Sequence, residues 1–285
     1  NTEKGRVAAK LTASGTENPE GVYVMRFNAG TVANAVPGTA SCGVVGTSVD
    51  AVEAAIRLAN IPGVTFDVRT CHHGNTHITA IGVAAHASLP EQGKNAACAL
   101  LAVLSKLGLT DAPGNNALLA LHKAMPYGDF GGHAFGGACE DAESGKLTVN
   151  LGIVNYSVAD GLEAVVDMRV PVCGNSAEIL GKLGNTLGAG VNTEALSVSQ
   201  PHQVPADSDF VKGLLAVYED YTGLPGEAMS MGGGTYVHEI EGGVAFGCTM
   251  PGTDNRMHGN DEVAVVEELV TAAKIFADVI ISLCG

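Results

Sequence analysis

Strand-like and helix-like segments follow one another in a regular order through the first 107 residues. Four segments have the short apolar or alternating pattern of β-strands, and two have apolar residues at helical spacing. The strands are expected at 22–29, 39–46, 64–71 and 76–85, and the helices at 48–60 and 95–107. The order β-β-α-β-β-α predicts an α+β layer with both helices on one face of a sheet.

A second run of the same kind follows a break at Pro113-Gly114. Helices are expected at 115–125 and near 176–187, and strands at 146–156, at 162–170 and near 194–199. This order loosely resembles the first run. The sequence therefore predicts two similar, ferredoxin-like α+β layers.

The character of the sequence changes at Pro201, where two prolines within 201–205 form a stiff connector. The segments expected beyond it are a helix capped by Asp207 or Ser208, strands ending at Met231 and covering 243–247, and a helix over 261–283. The last helix carries an apolar stripe that should cover a sheet. The stripe consists of Val266, Leu269, Val270, Ala273, Phe276, Ala277 and Ile280. We therefore predict domains over residues 1–205 and 206–285.

The charge balance excludes some partners. The chain has 15 Lys and Arg against 30 Asp and Glu, for a net charge of −15. Nucleic acids and anionic membranes are bound by clustered Lys and Arg, so we expect neither as a partner. No apolar run is long enough to span a membrane. The seven cysteines are spread singly without a C-x-x-C pair, which favours reduced, buried thiols and a cytoplasmic protein.

Two side chains in the first domain are candidates for ligand contacts. His86 follows a predicted strand and precedes a helix, where an imidazole could donate to a developing oxyanion. A structural histidine is the alternative. Arg169 shares one face of its strand with Asp167, where its guanidinium could clamp a carboxylate. A plain ion pair with Asp167 is the alternative.

Two further candidates lie in the second domain. Gly232, Gly233, Gly234 and Thr235 follow a short strand, and three glycines allow backbone N–H groups to approach an anion closely. A structural turn is the alternative. His258 lies in a polar loop before the last helix, which Asp261 is expected to cap. It could bind a metal, but a zinc site needs three or four protein ligands.

In their order and spacing, these segments resemble the metal-dependent dipeptidases of the aminopeptidase-like exopeptidase clan. The resemblance is greatest to the bacterial dipeptidases related to carnosine dipeptidase, and it extends over nearly the whole chain. The segments that carry it are Asn34–Pro37, His86 with Ser88–Glu91 and Gly93–Asn95, Asp167–Pro171, Gly232–Tyr236, Val244–Gly247 and Pro251–Glu262.

The resemblance implies a lid domain that closes over a dipeptide and an α/β catalytic domain that binds two zinc ions, or manganese in some members. By position, His258 matches a zinc ligand. Asn34 and His86 match lid residues that stabilise the tetrahedral intermediate. Arg169 and the turn from Gly232 to Thr235 match groups that bind the carboxylate of the substrate.

One feature of the family is missing. Its other metal ligands and its general-base glutamate come from an upstream segment with an H-x-D motif, and this chain contains no H-x-D. We therefore expect the lid and the C-terminal part of the catalytic domain without the N-terminal segment, with an incomplete or absent zinc site and no activity alone. Two alternatives remain: a non-catalytic binding or dimerisation module, and an N-acyl amino acid deacylase of the same clan.

Overall fold

The structure is a computed structural model that describes residues 1–71, 74–247, 249–256 and 261–284. The strands are β1 (Thr2–Glu3), β2 (Gly5–Ala13), β3 (Tyr23–Ala29), β4 (Thr39–Val45), β5 (Thr65–Thr70), β6 (Thr76–Ile81), β7 (Glu140–Asp141), β8 (Gly145–Lys146), β9 (Thr148–Ser157), β10 (Gly161–Val170), β11 (Asn192–Ser199), β12 (His202–Gln203) and β13 (Ser230–Met231). The helices are α1 (Val49–Ala59), α2 (Ala96–Leu104), α3 (Pro113–Ala124), α4 (Ser176–Leu187), α5 (Asp209–Thr222) and α6 (Val266–Cys284).

The chain divides into two compact units. The sheet unit consists of Lys4–Pro201, and the terminal unit consists of Asn1–Glu3 together with His202–Gly285. The first three residues belong to the terminal unit because β1 pairs with β12 and β13. The assignment of residues 1–205 to a lid and of 206–285 to a catalytic domain stays a prediction.

One eight-stranded sheet forms the sheet unit, in the order β11-β2-β10-β9-β3-β4-β6-β5. The two predicted layers are therefore two halves of a single sheet, which the antiparallel pairing of β3 with β9 joins edge to edge. Helices α1 and α2 pack on one half and α3 and α4 on the other. Because each helix also contacts the next one, the four form a continuous layer over the sheet. This architecture is mixed α+β, as predicted.

Strand β2 was not predicted, although it lies in the sheet between β10 and β11. Its Ala8, Ala9 and Lys10 belong to residue types that are depleted in strands. Pairing on both sides compensates for this low propensity, because the strand hydrogen-bonds to two neighbours and buries Val7 and Leu11 completely.

The core of the sheet unit centres on α2, in which all nine residues are buried. A helix that is apolar on every side has to be covered on every side, and α1, α3 and the sheet provide that cover. Asn95 begins the helix, since its side-chain oxygen accepts the backbone N–H of Cys98 at 3.1 Å.

The cysteines fit the predicted pattern only in part. Cys42, Cys71, Cys98, Cys139 and Cys173 are free thiols. Burial raises the pKa of the Cys98 thiol to about 12 and that of the Cys42 thiol further still, so both stay protonated. Cys71 and Cys173 are exposed, contrary to the prediction of buried thiols.

The terminal unit contains the small sheet β12-β1-β13 and the packed helices α5 and α6. Ser208 caps α5 as predicted, with its hydroxyl accepting the N–H of Val211 at 3.3 Å. Residues 243–247 form no strand, and α6 begins at Val266, so Asp261 is not its cap. Asp261 has a left-handed backbone with φ 58°, which does not lead into a helix.

The predicted apolar stripe of α6 lies mostly on its open side. Val266 is 66% exposed and Ile280 is 62% exposed, whereas the helix buries Ala272 and Ile275. The stripe therefore covers no sheet in this structure. In the part of the chain that the structure describes, no helix has both the length and the apolar character to cross a bilayer.

Glycine at position 152 should be required by packing. A Cβ added there would lie 2.8 Å from Cα of Ala33 and closer still to the Ala33 carbonyl oxygen. Both are backbone atoms and cannot rotate away, so we expect Gly152→Ala to reduce the free energy of unfolding by about 1–3 kcal/mol. Denaturant titration measures the change.

Gly43 in β4 is the matched control, because a Cβ there would only touch the flexible end of Met25 at 3.4 Å. We expect Gly43→Ala to leave the stability unchanged or to raise it by up to about 1 kcal/mol, because glycine within a strand is less favourable than alanine. Equal effects of the two substitutions would contradict the close packing at Gly152.

Candidate functional site

The loop that contains Asn34 lies beside the segment that contains His86. Ala35 and His86 form an isolated antiparallel bridge. The N–H of Val36 donates to the carbonyl of Ala85 at 2.8 Å, and the N–H of Ala87 donates to the carbonyl of Asn34 at 2.9 Å. Both Asn34 and His86 are exposed. The structure thus brings these two residues together, while their role in stabilising an oxyanion stays a prediction.

The ring of His86 is oriented by Ser88. The backbone N–H of Ser88 donates to Nδ1 of His86 at 3.2 Å, and the Ser88 hydroxyl lies 2.7 Å from the same nitrogen. A backbone N–H can only donate, so Nδ1 acts as the acceptor and a neutral ring carries its proton on Nε2. This tautomer provides an Nε2–H donor on an exposed histidine, as oxyanion stabilisation requires.

Arg169 forms the ion pair that the sequence analysis left open. Its Nε donates to Oδ1 of Asp167 at 2.6 Å, and Arg6 from β2 binds Oδ2 of the same carboxylate at 2.8 Å. Asp167 is fully buried and the side chain of Arg169 is 9% exposed. The pair therefore lies inside the sheet unit, and a contact of Arg169 with a substrate carboxylate stays a prediction.

The glycine-rich turn contacts a carboxylate that belongs to the chain itself. Thr235 donates to Glu3 through its backbone N–H at 3.1 Å and through its hydroxyl at 2.6 Å. Nδ1 of His238 donates to the same carboxylate at 2.8 Å. Burial raises the pKa of Glu3, but these hydrogen bonds outweigh it and lower the pKa below its usual range. Substrate binding by Gly232, Gly233, Gly234 and Thr235 stays a prediction.

A metal centre is not assembled by the residues that the structure describes. In residues 1–71, 74–247, 249–256 and 261–284, no group of three or more His, Cys, Asp or Glu side chains could hold an ion. His258, the predicted zinc ligand, lies outside these residues.

Asn150, which lies next to the loop of Asn34, was not predicted from the sequence. Asn150 in β9 is 2% exposed and contacts the loop of Asn34 through its side chain. The only signal in the sequence is a polar residue within the apolar run from Val149 to Val154, followed by Gly152. That pattern does not reveal what the side chain contacts.

We expect Asp167→Ala to destabilise the sheet unit by about 3–5 kcal/mol, because it leaves the guanidinium of Arg169 buried without its carboxylate partner. The change is measured by denaturant titration. Glu163→Ala is the matched control. Glu163 lies in β10 like Asp167 and pairs with Lys10 of β2 at 2.7 Å, but its side chain is 58% exposed. It should cost less than about 1 kcal/mol, and similar losses in the two variants would argue against a buried pair.

The stability of the terminal unit should depend on the charge of Glu3. Because the folded state lowers the pKa of Glu3, its contribution is complete above the unfolded value of about 4.5 and decreases as the pH falls below it. We expect Glu3→Gln to lower the midpoint of thermal unfolding at pH 7 and to flatten its decrease between pH 5 and 3. Parallel pH profiles of the two proteins would refute the assignment.

Comparison with known proteins supports the resemblance. Residues 70–189 match the family model described as peptidase dimerisation domain. The chain is 30% identical over 292 residues to the protein named "Putative dipeptidase YtjP" of Bacillus subtilis (strain 168), covering 99% of this chain and 61% of that protein. It is 28% identical over 272 residues to the "Beta-Ala-Xaa dipeptidase" of Lactobacillus delbrueckii subsp. lactis, covering 94% of this chain and 57% of that protein.

A solved structure, the aminoacylhistidine dipeptidase of Vibrio alginolyticus, aligns with 82% of this chain and 52% of its own, at 14% identity and a TM-score of 0.38. Measured against the Bacillus and Lactobacillus relatives, the chain spans about three fifths of their length. It contains a peptidase dimerisation domain and is a distant homologue of bacterial proteins named as dipeptidases.

Proposed function

We propose that the chain is the lid and the C-terminal part of the catalytic domain of a longer, zinc-dependent dipeptidase, with manganese as the alternative metal. Its substrates would be dipeptides with a free N-terminus. The observation that carries the proposal is the antiparallel bridge between Ala35 and His86, which holds the backbone of Asn34 beside the His86 segment, with both Asn34 and His86 exposed. The names of the two bacterial relatives support the substrate class.

The proposed role of His86 follows from its tautomer. The contacts with Ser88 leave the ring proton on Nε2, where it can donate to the oxygen of a scissile carbonyl as negative charge develops there. Asn34 would donate from the adjacent loop. Zinc, when bound, would polarise the same carbonyl and lower the pKa of a water molecule.

The proposal that the site is incomplete in this chain rests on different observations. The two relatives are longer than the region they share with this chain. The residues that the structure describes contain no set of three metal ligands. The exposed apolar stripe of α6 has the character of a surface that more polypeptide would cover. We therefore propose that the remaining ligands and the general base lie in a segment outside this chain. We also propose that the protein is cytoplasmic, which the free thiols of Cys42, Cys71, Cys98, Cys139 and Cys173 support.

A second candidate is a non-catalytic binding or dimerisation module. The match of residues 70–189 to a peptidase dimerisation domain favours it, because that match includes neither Asn34 nor the terminal unit. The two candidates differ in whether His86 affects a reaction.

The test compares this chain with the longer protein, produced with the upstream coding segment and loaded with zinc or manganese. We expect the longer protein to hydrolyse dipeptides. We expect the chain alone neither to hydrolyse dipeptides nor to bind metal tightly. His86→Gln should lower kcat of the longer protein about 10²–10³-fold with a smaller change in KM, the range found for loss of one oxyanion donor.

His133→Gln is the matched control, because His133 is also an exposed histidine of the sheet unit, with a side chain that is 80% exposed. It should leave kcat unchanged. Hydrolysis of N-acyl amino acids instead of dipeptides would favour the deacylase, and no hydrolysis would favour the module. Metal-dependent turnover by the chain alone would show that the site is complete.

A further inference from the structure

A bulge in β9 allows the loop of Asn34 to lie directly against the sheet. The pairing of β9 with β10 shifts between Val165 and Val166, so Gly152 has no partner in β10. On the other side of β9, the pairing with β3 ends at Ala29 and Val154. The loop that follows β3 occupies this side, and the absence of a side chain at Gly152 leaves room for the backbone of Ala33.

The side chain of Asn150 binds this loop. Its Nδ2 donates to the carbonyl of Ala33 at 3.0 Å and to the carbonyl of Ala35 at 2.9 Å. Carbonyl oxygens only accept, so the NH₂ group must face the loop, and both of its hydrogens are used there. Ala33 and Ala35 flank Asn34, and the backbone on both sides of Asn34 is therefore fixed by one buried side chain.

A second buried amide orients the first. Nδ2 of Asn95 donates to Oδ1 of Asn150 at 3.3 Å and to the carbonyl of Leu151 at 3.0 Å. The Oδ1 of Asn95 accepts the N–H of Cys98 and so begins α2. Asn95 is 6% exposed and Asn150 is 2% exposed. In this environment an unsatisfied amide would be costly, so the two side chains have little freedom to rotate.

The chain of contacts continues to His86. The carbonyl of Asn34 accepts the N–H of Ala87, and the carbonyl of Ala85 accepts the N–H of Val36. The start of α2, β9, the Asn34 loop and the His86 segment are thus linked by consecutive hydrogen bonds. We propose that Asn150, oriented by Asn95, is the positioning residue that fixes Asn34 and His86 relative to each other. The catalytic consequence rests on the proposed function, whereas the positioning itself does not.

The chain offers a matched control in Asn115, which is 1% exposed. Its Oδ1 accepts the N–H of Val24 at 3.1 Å, and its Nδ2 donates to the carbonyls of Val22 and Thr110 at 3.3 and 2.8 Å. The Asn115 side chain therefore donates to two carbonyls and accepts one N–H, as the Asn150 side chain does. Its partners lie at the start of β3 and, for Thr110, just before α3, rather than in the Asn34 loop.

The first measurement is hydrogen exchange of this 285-residue chain, followed by mass spectrometry of peptides that cover 22–27, 30–38 and 83–90. We expect Asn150→Leu to increase exchange at 30–38 and 83–90 at least tenfold relative to Asn115→Leu. We expect Asn115→Leu to increase exchange at 22–27 instead. If either leucine variant does not fold, Asn150→Ser and Asn115→Ser replace the pair, because the smaller side chain removes the same contacts without overpacking.

The second measurement is the kinetics of the longer protein. A positioning role predicts that Asn150→Leu lowers kcat at least tenfold with KM changed by less than threefold, while Asn115→Leu changes neither. Equal exchange in the two variants overturns the proposal, and so does an unchanged kcat in an active longer protein with Asn150→Leu. If the longer protein hydrolyses no dipeptide at all, the proposed function fails, and the exchange experiment still decides the positioning.

Discussion

Only the second part of β9 pairs with β3. The pairing ends at Ala29 and Val154, whereas β9 itself begins at Thr148. The polar groups on this side of β9 have to be satisfied by something other than a strand, because unpaired buried groups cost roughly 1–3 kcal/mol each. The N–H of Val149 donates to the carbonyl of Phe130 at 2.8 Å, and the carbonyl of Leu151 accepts from Nδ2 of Asn95 at 3.0 Å. The side chain of Asn150 in turn satisfies the carbonyls of Ala33 and Ala35 in the Asn34 loop. The place where the two halves of the sheet stop pairing is therefore also the place where the candidate residues Asn34 and His86 meet.

The two predicted anion sites both contact carboxylates of the chain. Arg169 binds Asp167, and Thr235 binds Glu3. In a chain with twice as many acidic as basic residues, buried carboxylates need the available donors, and each of these two is bound at 2.6 Å. A guanidinium has five N–H donors, so an ion pair with Asp167 is chemically compatible with a second carboxylate. For the turn, Glu3 already takes the hydroxyl and the backbone N–H of Thr235, so a ligand would have to bind other groups or displace Glu3.

Much of the fold could be predicted from the sequence, because it is encoded locally. Helix α4 begins and ends where its apolar spacing predicts, and the cap of α5 at Ser208 is a residue type that favours that position. Strand β2 could not be predicted, because its alanines and lysine become a strand only between two neighbours. The joining of the two halves was missed for the same reason: edge pairing depends on residues far apart in the chain. His86 was found from its place between a strand and a helix, and Asn34 through the family resemblance, whereas Asn150 is recognisable only when its distant partners are in place.

The terminal unit shows how a local pattern can be correct while its partner lies elsewhere. The stripe of α6 has the spacing of a buried helix face, yet Val266, Val270 and Ile280 are each more than half exposed. Burying one such side chain contributes about 1.5–3 kcal/mol, so the exposed stripe represents a substantial stabilisation that this unit does not obtain from its own residues. A helix face that contacts water normally carries polar residues. The apolar stripe instead agrees with the proposal that a further part of a longer protein covers α6.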